Sequence, residues 1–167
     1  MIRKAAKKDA EQISKVLISF YNMDEEEAKN AFLNETKKGH HYIVAEDTQK
    51  SSISGANSVG DGKIIGLVTW AMHGLPKHQL AELDRIVILK EARGKGLGKQ
   101  LVNELIKDAN KIYGKSGFKL RKLYLLTHFD NKEAHSFYEK VGFSHETTLK
   151  RHYYDEKDEH VYSMFFD

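Results

Sequence analysis

A chain of 167 residues is long enough to bury a substantial core and is most simply one domain, 1–167. Hydrophobic residues make up 40% and charged residues 31%, the balance of a globular protein, and a net charge of +3 is too small to argue for nucleic acid. The absence of cysteine excludes disulfides, thiolate metal sites and a cysteine nucleophile, and agrees with a cytoplasmic setting. No apolar run approaches the ~20 residues of a membrane span, and "MIRKAAKKDAEQI" lacks the apolar core of a secretory signal.

The opening "MIRKA" reads as a short strand. Asp9, with Gln12 three residues on, has the pattern of a capping box, and Ile13, Val16, Leu17 and Phe20 follow at helical spacing. Asp24 with Glu27 repeats the signal before a second helix whose buried side carries Ala28, Ala31 and Phe32. Tyr42 to Ala45 is a short buried strand. The polar, Ser- and Gly-rich stretch 46–62 reads as a long hairpin loop rather than a linker. Lys63 to Met72 is a β-branched strand, Pro76 lies in the turn after it, and Leu80 to Leu89 is the next strand. Leu97, Leu101, Leu105, Ala109 and Ile112 mark one face of a long helix closed by Gly114 and Gly117. Lys122 to His128 is a strand, Asn131 to Val141 a helix, and "GFSHETTL" and "HVYSMFF" two closing strands. This order mixes hairpin connections with crossover helices, so the sheet is expected to be mixed, with helices on both faces.

Between the fourth strand and the long helix lies "EARGKGLGKQL", a glycine-rich stretch among basic residues. It is not a nucleotide-kinase loop: three residues separate Gly94 from Gly98, and Lys99 is followed by Gln100, so no hydroxyl is placed for Mg²⁺. The glycines at 94, 96 and 98 also miss the dinucleotide spacing. What remains is Arg93-x-x-Gly96-x-Gly98 at a strand-to-helix junction, a loop whose backbone can approach a pyrophosphate while first-turn amides and Lys95 and Lys99 face it. Downstream, "NKEAHSFYEKVGF" follows the fifth strand with the pattern N-x-x-A-x-x-F-Y-x-x-x-G-F.

In these two motifs, in this order and separation, the chain resembles the GNAT superfamily of acetyl-CoA-dependent N-acetyltransferases. The resemblance implies an α/β (α+β) fold: a mixed, mostly antiparallel sheet of about seven strands with four helices on its two faces. It implies acetyl-CoA as co-substrate. The backbone of Ile86, Val87 and Ile88 pairs with the pantetheine arm, and Gly94, Lys95, Gly96, Leu97, Gly98 and Lys99 cradle the pyrophosphate. Arg93 contacts the phosphates or holds the loop's shape, Asn131 bonds the pantetheine end, and Lys140 meets the nucleotide phosphates. The reaction is attack of a neutral amine on a thioester in a ternary complex. An alkyl ammonium with a pKa near ~10 needs a base at neutral pH.

Tyr138 is the implied proton donor to the departing thiolate, against the alternative of a plain core tyrosine. Glu82 matches the strand glutamate that some members use as base; Asp84, two residues on, shares its face in a regular strand. Enzymes that acetylate ribosomal-protein N-termini resemble this chain in "RHYY" but carry a glutamate five residues before the motif asparagine, where this chain has Leu126. The acceptor pocket is expected from "NMDEEEA", Trp70, His73 and "RHYYDEKDEH", for a polyamine-like molecule or a peptide N-terminus; the acids at 24–27 serve equally as a helix N-terminus. Nine histidines show no metal-binding spacing, so no metal is expected. The expected partners exclude nucleic acid and membrane and allow a homodimer. The alternative function is a domain that binds acetyl-CoA as a sensor or structural ligand without turnover.

Overall fold

The computed structural model describes residues 1–47 and 62–167, so most of the stretch read as a polar hairpin loop (46–62) lies outside the described residues. Among the described residues seven strands form one sheet in the order β1-β2-β3-β4-β5-β7-β6. They are β1 (Ile2–Lys4), β2 (His40–Asp47), β3 (Lys63–Met72), β4 (Leu80–Ile88), β5 (Lys122–His128), β6 (Ser144–Tyr154) and β7 (Lys157–Phe165). Four helices among the described residues accompany them: α1 (Ala10–Ile18), α2 (Glu25–Lys37), α3 (Leu97–Gly114) and α4 (Lys132–Val141). The mixed, mostly antiparallel sheet expected from the sequence is therefore present: β1–β2, β5–β7 and β6–β7 are antiparallel and β4–β5 is parallel. No helix among the described residues is long and apolar enough to cross a membrane.

The chain forms two compact units, residues 1–68 with 86–101 and residues 69–85 with 102–167. In the first, one face of α1 (Ala10, Ile13, Val16, Leu17) and of α2 (Ala28, Phe32) packs with Tyr42 and Val44 of β2, Ile64 and Leu67 of β3, and Val87 of β4. Phe20, expected on the α1 stripe, lies beyond the helix end and is exposed. Asp24 caps α2 as expected, accepting the Glu27 N–H at 2.8 Å. The first capping box is not realised. Asp9 is turned back onto Arg3, whose guanidinium donates to both carboxylate oxygens at 2.7 and 2.8 Å, and onto the Ala6 N–H at 2.7 Å. Gln12 is spent accepting the Ile64 N–H at 2.8 Å. A buried carboxylate is better served by a fork-shaped cation than by one amide, so tertiary structure overrides the local signal.

In the second unit the largest fully buried side chains include Trp70, Leu83, Leu105, Tyr113, Leu123 and Leu125. The part of α3 in this unit buries Val102, Leu105, Ala109 and Tyr113, and Ile112 is only half-buried; of its residues in the first unit, Leu101 is buried and Leu97 half-buried. Two buried polar side chains are paired here: Trp70 Nε1 donates to Asp108 at 3.2 Å, and Tyr113 Oη donates to the Leu80 carbonyl at 2.5 Å. Helix α4 ends at Gly142, at φ +108°, followed by buried Phe143. The closing strands are longer than expected. β6 runs on to Tyr154, with its register to β7 shifted between Leu149 and Tyr154. There Arg151 takes φ +46° and its N–H donates to Asp158 at 3.1 Å.

Candidate active site

Strand β4 ends at Ile88, and one 3-10 turn, Lys90–Ala92, leads into the glycine-rich loop. Arg93 ties the loop back to the strand, its Nε donating to the Ile88 carbonyl at 3.0 Å. Gly94 and Gly96 both sit at φ +75°, a left-handed conformation that costs other residues about 1–2 kcal/mol. A Cβ at either would meet nothing within 4 Å, so what the glycines supply is backbone conformation over open space. Helix α3 then starts at Leu97, and Gln100 N–H to Gly96 C=O, at 3.2 Å, closes its first turn. The amides of Leu97, Gly98 and Lys99 precede that bond and have no intrahelical acceptor. Gly98 is buried, whereas Lys95 and Lys99 are exposed and enter no ion pair among the described residues. Free amides at a helix N-terminus, the positive end of its dipole and two lysines make this loop fit a pyrophosphate. Just upstream, Val87 is buried, and Ile86 and Ile88 are half-buried.

In the second unit β4 alternates. Ala81 and Leu83 are buried, while Glu82 and Asp84 share the more open face, as the period of two requires. β4 and β5 pair over Leu80↔Lys122, Ala81↔Leu123 and Glu82↔Tyr124, and the registered ladder stops there. Leu83 to Arg85 continue β4 without a registered β5 partner. At the last pair the Tyr124 hydroxyl donates to Glu82 Oε2 at 2.9 Å and lies 2.8 Å from His73 Nδ1. Burial first, then the charge of Glu82 and the bond to it, push the Tyr124 hydroxyl well above the ordinary tyrosine range, so it stays a protonated donor. Glu82 therefore stands beside a phenol and an imidazole. Asp84 accepts from Thr69 Oγ1 at 3.3 Å and lies 3.4 Å from the Arg85 guanidinium. Burial raises Tyr153 too, followed by the fields of Glu82, Glu159 and Asp84.

Tyr138, the expected proton donor, is buried on α4, its ring centroid 5.9 Å from that of Phe143 and 6.2 Å from that of Tyr162. Asn131 is the N-cap of α4, its Oδ1 accepting the Ala134 N–H at 3.2 Å, which leaves the amide nitrogen as the end of the side chain available to a ligand. Lys140 is exposed on the same helix. Tyr124 was not singled out in the sequence, because only cross-strand register reveals that it faces Glu82. The residues expected to wall an acceptor pocket divide. Trp70 is fully buried, Asp24 is consumed as a cap, His73 joins Tyr124, and Tyr153 and Tyr154 are exposed near the end of β6. Among the described residues no group of three His, Asp or Glu side chains is placed to hold a metal ion.

The family description "Acetyltransferase (GNAT) domain" matches residues 38–145, well over half of the chain and inclusive of both motifs. The chain belongs to the GNAT acetyltransferase family. No curated protein matches its sequence. Among solved structures, the fold of this GNAT chain is similar to that of a putative GNAT acetyltransferase from Desulfovibrio desulfuricans, with TM-score 0.75 and 21% identity over 99% of this chain and 98% of that one. It is similar to a spermidine N-acetyltransferase (SpeG) variant from Vibrio cholerae, with TM-score 0.73 and 21% identity over 99% and 94% of the two chains. It is also similar to a ribosomal-protein-alanine N-acetyltransferase from Brucella melitensis, with TM-score 0.71 and 19% identity over 99% of each. At these identities the GNAT fold is what is shared.

Proposed function

We propose that the chain is one acetyl-CoA-dependent N-acetyltransferase domain, residues 1–167, acting on a primary amine by direct attack. The observation that carries this reading is the Arg93–Lys99 loop, with two left-handed glycines opening a helix whose first amides are free. Its donors suit the pyrophosphate of acetyl-CoA, which when bound supplies an activated acyl thioester and a thiol leaving group. The remaining roles are the chain's own. The backbone of Ile86, Val87 and Ile88 offers a strand edge to the pantetheine arm, although the Ile88 carbonyl is already shared with Arg93. Gly94, Lys95, Gly96, Leu97, Gly98 and Lys99 bind the pyrophosphate, and Arg93 shapes their loop. The Asn131 amide nitrogen donates to the pantetheine end, and Lys140 offers a cation to the nucleotide phosphates.

Glu82 removes the proton of the incoming ammonium, and Asp84 on the same face adds negative charge that favours a cationic acceptor. Tyr138 gives its hydroxyl proton to the departing thiolate. A chain without cysteine meets no obstacle here, because no covalent enzyme intermediate is required. The acceptor class is a polyamine-like molecule or a protein N-terminus, a reading supported by the carboxylates on the open face of β4 and by the activities named for the spermidine and ribosomal-protein-alanine acetyltransferases of the same fold. The test is release of CoA thiol from acetyl-CoA with spermidine, putrescine and a short peptide bearing a free N-terminus. Turnover with at least one amine is expected, and Glu82→Gln and Tyr138→Phe should each lower kcat by roughly 100-fold. Acetyl-CoA binding without thiol release, unaltered in both variants, would leave a non-catalytic acetyl-CoA-binding domain instead.

A further inference from the structure

Three side chains from separate segments meet at the end of the β4–β5 ladder. Glu82 and Tyr124 are its last registered pair, and His73 lies just past the end of β3. Tyr124 Oη is 2.9 Å from Glu82 Oε2 and 2.8 Å from His73 Nδ1, while His73 Nδ1 and Glu82 Oε2 stand 3.8 Å apart. Counting hydrogens fixes the direction of this chain. A tyrosine hydroxyl has one hydrogen, and an ionised carboxylate only accepts. With Glu82 ionised, that hydrogen points to Oε2, so His73 must carry a hydrogen on Nδ1 and donate it to the phenol oxygen. The reverse direction, Glu82 to Tyr124 to His73, requires a protonated Glu82. Glu82 Oε1 has no partner among the described residues.

We propose that Tyr124 and His73 are positioning residues for Glu82, fixing Oε2 and leaving Oε1 to take the proton of the acceptor amine. This rests on the reading of Glu82 as base. The bond from His73 polarises the Tyr124 hydroxyl and strengthens its donation to Glu82. It also keeps the carboxylate from turning, in a side chain whose attacking oxygen must meet the amine within hydrogen-bond reach. The side chain of His73 is 59% exposed, so replacing it leaves the core intact.

The first measurement needs no substrate: nitrogen NMR of labelled histidine in the full chain, with the tautomer read on the high-pH plateau of the titration. His73 is expected as the Nδ1–H tautomer, reverting to mainly Nε2–H in Tyr124→Phe. A wild-type His73 protonated on Nε2 overturns the proposal. The second is kinetic, with acetyl-CoA and whichever of spermidine, putrescine or the N-terminal peptide is turned over. Tyr124→Phe and His73→Leu should each lower kcat about tenfold with KM for the amine within about twofold. His73→Asn, whose amide N–H can stand where Nδ1–H stands, should recover kcat to within about threefold of wild type. An asparagine variant no better than leucine, or a loss confined to KM, also overturns it. Full turnover by Glu82→Gln sinks the base reading itself, whereas a slow Glu82→Gln beside an Nε2–H His73 sinks only the positioning role.

Discussion

Arg3 offers the most direct test of what holds the first unit together. It bridges two carboxylates that water scarcely reaches, Asp9 at 2% and Glu46 at 6% exposure. It donates to Asp9 at 2.7 and 2.8 Å and, through Nε, to Glu46 at 2.8 Å, with its terminal nitrogen also on Glu46. These bonds join β1, β2 and the entry to α1. Arg3→Met keeps much of the side-chain volume and removes all the donors, stranding two buried acids. Breaking a buried ion pair by deleting one partner costs about 3–5 kcal/mol. Asp9 keeps the Ala6 N–H at 2.7 Å, so the lower end, about 3 kcal/mol, is expected, or roughly 10 °C in melting temperature for a chain of this size.

The pH dependence supplies a second, independent check. The bond from Arg3, ahead of the opposing effect of burial, holds Asp9 below the ordinary carboxylate range. A depressed carboxylate contributes stability that is present above its unfolded pKa, near ~4, and lost as pH falls through the lower folded value. Wild type should therefore lose this contribution on acidification. The variant's stranded Asp9 takes up a proton more readily, so the gap between the two should narrow between about pH 7 and pH 4. Urea unfolding of both proteins across that range measures it. A deficit under about 1 kcal/mol at neutral pH, or one that widens on acidification, refutes the reasoning.

Two further outcomes follow from local geometry. Gly96→Ala places a Cβ in open space but forces a left-handed residue at φ +75°. A strain of about 1–2 kcal/mol corresponds to acetyl-CoA binding weakened roughly 5–30-fold as the loop relaxes away from the cradle, and calorimetry showing unchanged affinity would argue against the pyrophosphate role. Asp24→Ala removes the acceptor for the Glu27 N–H; it should destabilise the protein by about 1 kcal/mol in urea, while Asp24→Ser should be nearly neutral.

What the sequence revealed was what neighbouring residues decide among themselves. The bounds of β3 and β5 match the alternation and β-branched runs that announce them, and α4 starts and stops at Asn131 and Gly142 because cap and left-handed glycine are local devices. The glycine-rich loop was legible for the same reason. Its glycines, lysines and helix start are contiguous, so spacing alone carries the geometry. Asp9 misled because its strongest partner, Arg3, is also bound to Glu46, 43 residues away from it in sequence. Nothing in the spacing Asp9–Gln12 can signal that competition.

The surroundings of Glu82 fail to show in sequence for a related reason: their geometry is written across strands. Leu126 occupies the position where a ribosomal-protein type of enzyme resembling this chain carries its glutamate. The period of two on β5 places Tyr124 on the same face, one step back. Parallel register then sets Tyr124 against Glu82 of β4. A carboxylate missing from β5 at one position is thus accompanied by a phenol that reaches a carboxylate on β4 at 2.9 Å. A strand slip of one residue would turn Tyr124 to the opposite face and part the two side chains. The register that ends the ladder at Glu82 and Tyr124 is consequently as much a determinant of the candidate base as the residue itself.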